Sequence, residues 1–447
     1  MNPWITQTLS IAAALGVAGA TLAGLAIAGS SVTGAQNRLP HSDAHAAGFH
    51  TRAAQASHTL KVAVVLGTSG TVATDAMGPF EVFARSSRFS VYTVAATSAP
   101  VAVDGAPSIL PDYAFADVDT RADLTPDVVV VPALDDPDGT SEAQLRSWVS
   151  AQSARGAHIL GVCAGSRVLA AAGLLDGKTA TSHWSRLSGL RASHPETHWV
   201  DGRRFVRDGR VTTTAGITSG IPGALAVMDE LAGPDAAISV GAQVGYPGWS
   251  IDGPTAIPVQ SFGLGDRPVV FNTAMPWFRP TVAVALTDGV SEIDAASAFE
   301  VYNNSAAART IAVTPGGSIT TQHGLVLLGL PYADVPKVDR IVRPGIDTAR
   351  GLDPAASAWA GTRGMQVEPM TGPHGRAGFD GALEFLGRDA GADTARSAAK
   401  MVDYPIDALD LGQEPSSLRT WLLCAGLLAL SVLAGCATYL GLARLLS

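Results

Sequence analysis

Lysine is nearly absent from this chain, which has four among 447 residues: Lys61, Lys178, Lys337 and Lys400. Asp, Glu, Lys and Arg together reach 15%, against roughly 25% in an ordinary soluble protein. With a net charge of −9 and no polybasic patch, the chain lacks the basic face that displaces counterions from nucleic acid, and nucleic-acid partners are excluded. Cysteine is also scarce, with three in all, too few for a disulfide framework. Charge is missing altogether before Arg38 and again between Arg419 and Arg444. What is present in excess is apolar: 47% of residues are hydrophobic and the mean hydropathy is +0.23.

The apolar excess sits at the two ends. Ile5 to Gly29 and the 24 uncharged residues after Arg419 are each long enough, at about 1.5 Å per helical residue, to cross a hydrocarbon core of roughly 30 Å. The second run is Leu-rich and flanked by Trp421 and Tyr439, which suits a membrane interface. In the first, Ala26-Ile27-Ala28 resembles a signal-peptidase site, while the missing basic n-region and the length of the run favour an uncleaved anchor. We therefore expect residues 1–31 to form a transmembrane anchor or signal segment and 418–444 a transmembrane helix, with the membrane as partner.

Cys424 and Cys436 fall inside the second run, twelve residues apart. Helical spacing of roughly 18 Å precludes a bridge between them, so Cys163 is the lone thiol of the remainder. Residues 32–59 read as a linker whose His41, Asp43, His45 and His50 lack the fixed geometry of a metal site, and no metal or cofactor is expected. From Leu60, β-branched runs (KVAVVL, SVYTVAA, DVVVVPA, HILGV) alternate with helical patterns (GPFEVFAR, SEAQLRSWVSAQSA, SRVLAAAGLL). This alternation predicts an α/β fold with a mostly parallel sheet.

Much of the pattern then returns. TVATDAMGPFEVF at Thr71–Phe83 is matched by VSEIDAASAFEVY at Val290–Tyr302, an offset of 219, with Asp75 answering to Asp294. AGPDAAISVGAQVGYP from Ala232 is matched by AGADTARSAAKMVDYP from Ala390, an offset of 158. The second copy has thus lost about sixty residues from its middle, the counterpart of Cys163 among them. The expected organisation is one intact domain over 60–277 and a degenerate copy over 278–412. We expect the two to pack as an internal pseudo-dimer, with Asp294 surviving as a helix cap.

Cys163 lies in HILGVCAGSRVLAAAGLLDG, an apolar strand followed by Gly161-Val162-Cys163-Ala164-Gly165 and a helix. This is the cysteine form of a nucleophile elbow, a strained turn that lifts the side chain above the sheet. Placed at a helix N-terminus, the thiol is expected to have a depressed pKa, and the turn's N–H groups to stabilise an oxyanion.

With VCAGSRVLAAAGLLDGKTATSHW and VTTTAGITSGIPGALAV, the chain resembles the ThiJ/PfpI family of the class I glutamine amidotransferase-like superfamily. It is similar in particular to the isonitrile hydratase branch and to the sensor domains of AraC-type regulators. The resemblance implies a flavodoxin-like three-layer α/β sandwich, in tandem here, with Cys163 as nucleophile and Asp75, in TDAMGP, near the sulfur. The implied oxyanion donors are the residues at Ala164, Ala133 and Leu134. Three positions depart from the family pattern: Ala164 replaces a common His or Thr, Ala133-Leu134 replaces Gly-Gly, and Pro222 stands where Asp is frequent. His183, in SHW, is the family-matched proton-transfer candidate, with packing beside Trp184 as the alternative reading.

Two functions compete. One is a membrane-anchored cysteine hydrolase, hydratase or deglycase-like enzyme for a small electrophile; the other is a non-catalytic redox-sensing or ligand-binding module on the membrane. Transcriptional regulation is disfavoured, because an acidic copy and an apolar run follow where regulators carry a basic DNA-binding module. The resemblance extends to membrane-tethered bacterial proteins, so the domains are expected on the extracytoplasmic face.

Overall fold

The computed structural model describes residues 3–37, 59–345, 354–371 and 378–412, with 426, 429, 431–433 and 436–440 near the C-terminus. A single helix, α1 (Pro3–Asn37), opens the chain. It runs through residues 32–37, which the sequence assigned to the linker. The apolar window Leu15–Thr33, of mean hydropathy 1.6, is long and apolar enough to cross a membrane. The rest of the expected linker, with His41, Asp43, His45 and His50, lies outside the described residues, as does most of the C-terminal apolar run.

The first lobe is built on β1 (Leu60–Val65), α2 (Ala73–Ala84), β2 (Phe89–Ala95), β3 (Val101–Val103), β4 (Ala106–Leu110), β5 (Tyr113–Ala114), β6 (Val128–Val131) and β7 (His158–Gly161). It continues with α3 (Gly165–Ala171), β8 (Phe205–Asp208), β9 (Val211–Thr214), α4 (Gly220–Ala232) and α5 (Pro234–Val244). Seven strands form one sheet in the order β8-β9-β7-β6-β1-β2-β5, parallel except for the β8–β9 pair. Strands such as VVVV at 128–131 are buried on both faces, which is why they read as continuous apolar runs.

The second lobe follows α6 (Arg267–Ala274) and contains β10 (Thr281–Ala285), α7 (Glu292–Ser305), β11 (Arg309–Thr314), β12 (Ser318–Thr320), β13 (Val326–Leu328), β14 (Leu330–Pro331), β15 (Arg340–Arg343), β16 (Val367–Pro369), α8 (Gly378–Ala390) and α9 (Ala392–Val402). Its five-stranded parallel sheet has the order β14-β11-β10-β15-β16.

One apolar core joins the lobes. Val62 and Val64 of β1, Phe80 and Phe83 of α2, Phe299 and Tyr302 of α7, and Val282 and Val284 of β10 belong to the same buried cluster. Side chains of this kind contribute about 1.5–3 kcal/mol each on full burial. The opposite faces of the two sheets have cores of their own, around Ala63 and Val65 and around Ala283 and Ala285. A four-stranded sheet, β12-β13-β4-β3, also crosses the boundary, through antiparallel pairing of Leu110, Ile109 and Ser108 with Val326, Leu327 and Leu328.

Where α2 and α7 pack, each covers the other's N-terminus with a carboxylate. Glu300 of α7 accepts from Thr74 N–H at 3.0 Å, and α2 has no side-chain cap of its own. Glu81 of α2 accepts from Ile293 N–H at 2.6 Å and from the Ser291 hydroxyl at 2.8 Å. Buried N–H groups at a helix start need such acceptors, and the helix dipole favours negative charge there. Asp294, expected as the cap of α7, has a different place: Ser291 caps the helix, and the half-buried Asp294 accepts from Gly378 N–H.

Burial pushes Glu300 up to about 7. A pKa raised on folding gives stability that is present below the ordinary carboxylate value and lost as pH rises through the folded one. In denaturant titrations, Glu300→Gln should therefore gain on the parent between about pH 5 and about pH 8 by as much as about 3 kcal/mol. An unchanged gap between the two proteins across that interval would contradict this account.

Candidate active site

β7 delivers the chain to the elbow. A side chain at Gly161 would meet Leu169 at 2.7 Å, and one at Gly165 would meet the Val131 carbonyl at 2.1 Å, so both positions need glycine. Cys163 between them has φ +54°, a left-handed conformation that is strained for a non-glycine residue. Three hydroxyls hold it there. The Cys163 N–H donates to Thr214 Oγ1 at 3.0 Å, while its carbonyl accepts from Ser166 at 3.1 Å and from Ser182 at 3.4 Å.

Asp75, in the first turn of α2, is fully buried. Its Oδ2 accepts from Ala133 N–H at 3.0 Å, and its Oδ1 is buried with no hydrogen-bond partner among the described residues. Burial, and to a lesser degree the charge of Glu300, raises Asp75 well above the usual carboxylate range. Burial and then the Asp75 charge likewise push the Cys163 thiol well up, against a lowering contribution from the Ala164 N–H. The expected depressed thiol is thus overturned. Cys163 is only 5% exposed and α3 is only seven residues long, so desolvation outweighs the helix N-terminus.

The expected oxyanion donors separate. Ala164 N–H is directed to the sulfur. Ala133 N–H is committed to Asp75 and its carbonyl to Val72 N–H, so it is not available to a developing oxyanion. Leu134 is buried with its side chain against Gly67.

His183 is placed elsewhere. Its Nε2 donates to the Met401 carbonyl at 2.9 Å and its Nδ1 accepts from the Ser185 hydroxyl at 2.8 Å. Burial pushes its pKa down to about 4. With both nitrogens occupied, the imidazole ties the lobes together and is not presented to the sulfur. The adjoining Trp184 N–H donates to the Lys400 carbonyl at 3.4 Å.

The end of α9 therefore walls the site. Thr218 N–H donates to the Val402 carbonyl at 3.0 Å, and the Ser219 hydroxyl to Asp403 Oδ2 at 2.7 Å. Asp403 is left-handed, at φ +58°, and burial raises its carboxyl. It shares a cleft of about 300 Å³ with Thr181, Ser182, Trp184, Ala215 and Pro258. Thr214, Ser182 and Asp403 were not singled out from the sequence. The TTT run of β9 and the Asp of MVDYP were the only traces. Among the described residues, no group of three or more His, Cys, Asp or Glu side chains is placed to hold a metal.

Residues 60–230 match the model of the DJ-1/PfpI family. Isonitrile hydratase of Pseudomonas putida is 34% identical over 174 residues, covering 38% of this chain and 72% of that protein. The chain belongs to the DJ-1/PfpI family. The HTH-type transcriptional regulator CdhR of Pseudomonas aeruginosa is 36% identical over 99 residues, 22% of this chain and 29% of the regulator. Solved DJ-1/PfpI structures similar to the chain include a ThiJ/PfpI family protein from Pseudomonas syringae, with 28% identity, coverage of 48% and 84% of the two chains and a TM-score of 0.38. Drosophila melanogaster DJ-1beta matches at 25% identity, with coverage of 42% and 97% and a TM-score of 0.37. The family model and the identity to isonitrile hydratase establish the resemblance read from the elbow and SHW motifs, and the α/β sheet architecture it implied is the one described above.

The raised thiol sets a test. Alkylation of Cys163 by iodoacetamide should keep accelerating above about pH 8.5, the ordinary thiol value. Asp75→Asn, which removes the carboxyl whose ionised form raises the thiol, should increase the rate at alkaline pH by about tenfold, one pKa unit. A plateau below neutrality in the parent protein would refute the raised thiol.

Proposed function

We propose that the protein is a cysteine-dependent enzyme that hydrates or hydrolyses a small uncharged electrophile, with an isonitrile as the leading substrate class. The observation that carries this reading is the buried pair at the elbow: Cys163 held at a left-handed φ, and Asp75 with one oxygen fixed by Ala133 and the other unpartnered. Burial raises both groups and so favours their protonated forms. An isonitrile carbon must accept a nucleophile and a proton together, and such a pair supplies them. In the addition step a sulfur–carbon bond forms, Asp75 gives its proton to the same carbon, and the thiol proton replaces it on Asp75. Water then adds to the thioimidate carbon with a proton to nitrogen, the carbon–sulfur bond breaks, and the thiol recovers its proton as an N-substituted formamide leaves. The identity to isonitrile hydratase supports the choice of substrate class. The burial of Cys163 speaks against the competing redox-sensing role, since oxidants act on exposed thiolates.

We further propose that residues 60–277 and 278–412 are tandem copies forming an internal pseudo-dimer. Their sheets share a strand order, with β14-β11-β10-β15-β16 corresponding to β5-β2-β1-β6-β7. The hydrogen bond from Val162 N–H to the Val131 carbonyl has its counterpart from Met370 N–H to the Arg343 carbonyl. On that register Thr371 stands where Cys163 would be. The reciprocal glutamates fit a two-fold relation, in which residue i meets j and j meets i: Thr74 with Glu300, and Ile293 with Glu81. We place the pair on the extracytoplasmic face, tethered by residues 1–31 and 418–444, with α1 as the supporting feature.

Full-length protein in detergent should convert a small alkyl isonitrile to its formamide. Cys163→Ser should lose the activity by at least about a thousandfold and Asp75→Asn by about a hundredfold, scales set by loss of a nucleophile and of its acid–base partner. Equal residual rates in the parent and Cys163→Ser would overturn the assignment.

A further inference from the structure

α1 meets the rest of the protein along a short stretch. Gly29 and Thr33, one helical turn apart, are buried, whereas no residue of the helix whose burial is described is buried before Gly29. Gly29 lies flush against the chain that follows α6: a side chain there would meet the Ala274 carbonyl at 1.7 Å and Pro276 at 3.0 Å. Thr33 donates to the Thr273 carbonyl at 2.8 Å and accepts from Arg279 at 2.6 Å, and Arg279 is itself fixed to the Asn272 carbonyl at 2.7 Å. The apolar helix therefore leaves the protein body at a defined level, and with a defined direction, at Gly29.

At that level the body presents an apolar rim. Trp277 is 49% exposed and Phe278 43%, immediately after the Pro276 that Gly29 touches. Val270, one turn back along α6, is 60% exposed, and α6 buries none of its residues fully. Side chains of this kind, 43–60% exposed, gain by entering an apolar layer. Charge narrows the choice. In a chain of net charge −9, the stretch from Arg267 to Thr287 has two arginines and no acid, and no acid precedes Asp43 either. A stretch without acids, with exposed tryptophan, at the foot of an apolar helix, has the composition of the interfacial belt beside a membrane span.

We propose that Val270, Trp277 and Phe278 form a membrane-docking rim that enters the interfacial layer of a bilayer crossed by α1, so that the catalytic lobes rest on the lipid surface in one orientation. The inference rests on the proposed anchoring by α1 and adds a second contact to it. The occupant is the lipid interface. The 24 residues from Ile5 to Ala28 span roughly 36 Å as a helix, enough to cross a core of roughly 30 Å and bring Gly29 to its edge. The rigid seat at Gly29 and Thr33 then brings Trp277 and Phe278 to the same edge.

The test uses the full chain with Cys163, Cys424 and Cys436 changed to serine, reconstituted into vesicles of phosphatidylcholine and phosphatidylglycerol at about 3:1 to provide an anionic surface. Single cysteines at Val270, Trp277 or Phe278 carry a polarity-sensitive fluorophore. A control cysteine replaces the exposed Ala154, at the end of the helix Ala143–Ala154 on the first lobe's outer layer. Expected are blue-shifted emission at the three rim positions and quenching by shallow nitroxide-labelled lipid of about twofold or more, as for groups within the interface, with neither effect at position 154. Rim positions quenched no more than position 154, in protein that still floats with the vesicles, would overturn the docking rim and leave the anchor standing. Protein that fails to float would overturn the anchor, and the rim with it.

Discussion

Two buried glutamates, Glu81 and Glu300, hold the molecule in register. Each lies in the core shared by the lobes and accepts from the first turn of the other lobe's helix. A carboxylate in such a place is costly unless its oxygens are satisfied, and a helix start is costly unless its N–H groups are. Without Glu300 the Thr74 N–H would lose its acceptor, and without Glu81 the Ile293 N–H would lose its own. The reciprocal arrangement resolves both deficits and fixes the position of α2. Since Asp75 is in the first turn of α2, the arrangement also fixes the carboxyl that faces the elbow. The coupling is electrical as well, because Glu300 is among the groups that raise both Asp75 and Cys163.

The second lobe contributes structure to a site whose reactive groups all come from the first. Its sheet ends at β16, where the first lobe continues through β9 and β8. What it supplies is the end of α9: the carbonyls of Lys400, Met401 and Val402 receive Trp184, His183 and Thr218, and Asp403 receives Ser219. These contacts lie next to Ser182, which donates to the Cys163 carbonyl. Glu300 of the second lobe is also among the groups that raise the thiol.

Local features of this site were legible in the sequence, and long-range ones were not. The four apolar runs become strands at β1, β2, β6 and β7 with boundaries within two residues, because strands buried on both faces are nearly unmixed apolar runs. The elbow was legible because Gly161 and Gly165 are required by contacts a few residues away or across one strand. The thiol's environment was not, since it depends on burial and on Asp75 and Glu300, which are distant from Cys163 in the chain. His183 misled for the same reason: its partner, the Met401 carbonyl, is a backbone atom that no motif reveals. Asp403 was hidden because a left-handed Asp at the end of one helix carries no signal of the loop it will meet.

The protonation of the pair bears on what the proposed enzyme would accept. Burial favours the uncharged forms of both the thiol and the carboxyl at the elbow. A charged substrate would have to shed its water against no counter-charge at the elbow, which is strongly unfavourable at low dielectric. A neutral substrate meets no such barrier, and in the proposed reaction the charge that develops as sulfur attacks would be met by a proton from Asp75. The same burial that slows an indiscriminate alkylating agent thus favours a reaction in which nucleophile and proton are used in one event. The cost is borne by the ground-state thiol, whose low ionisation is tolerable only because the acid beside it completes the addition.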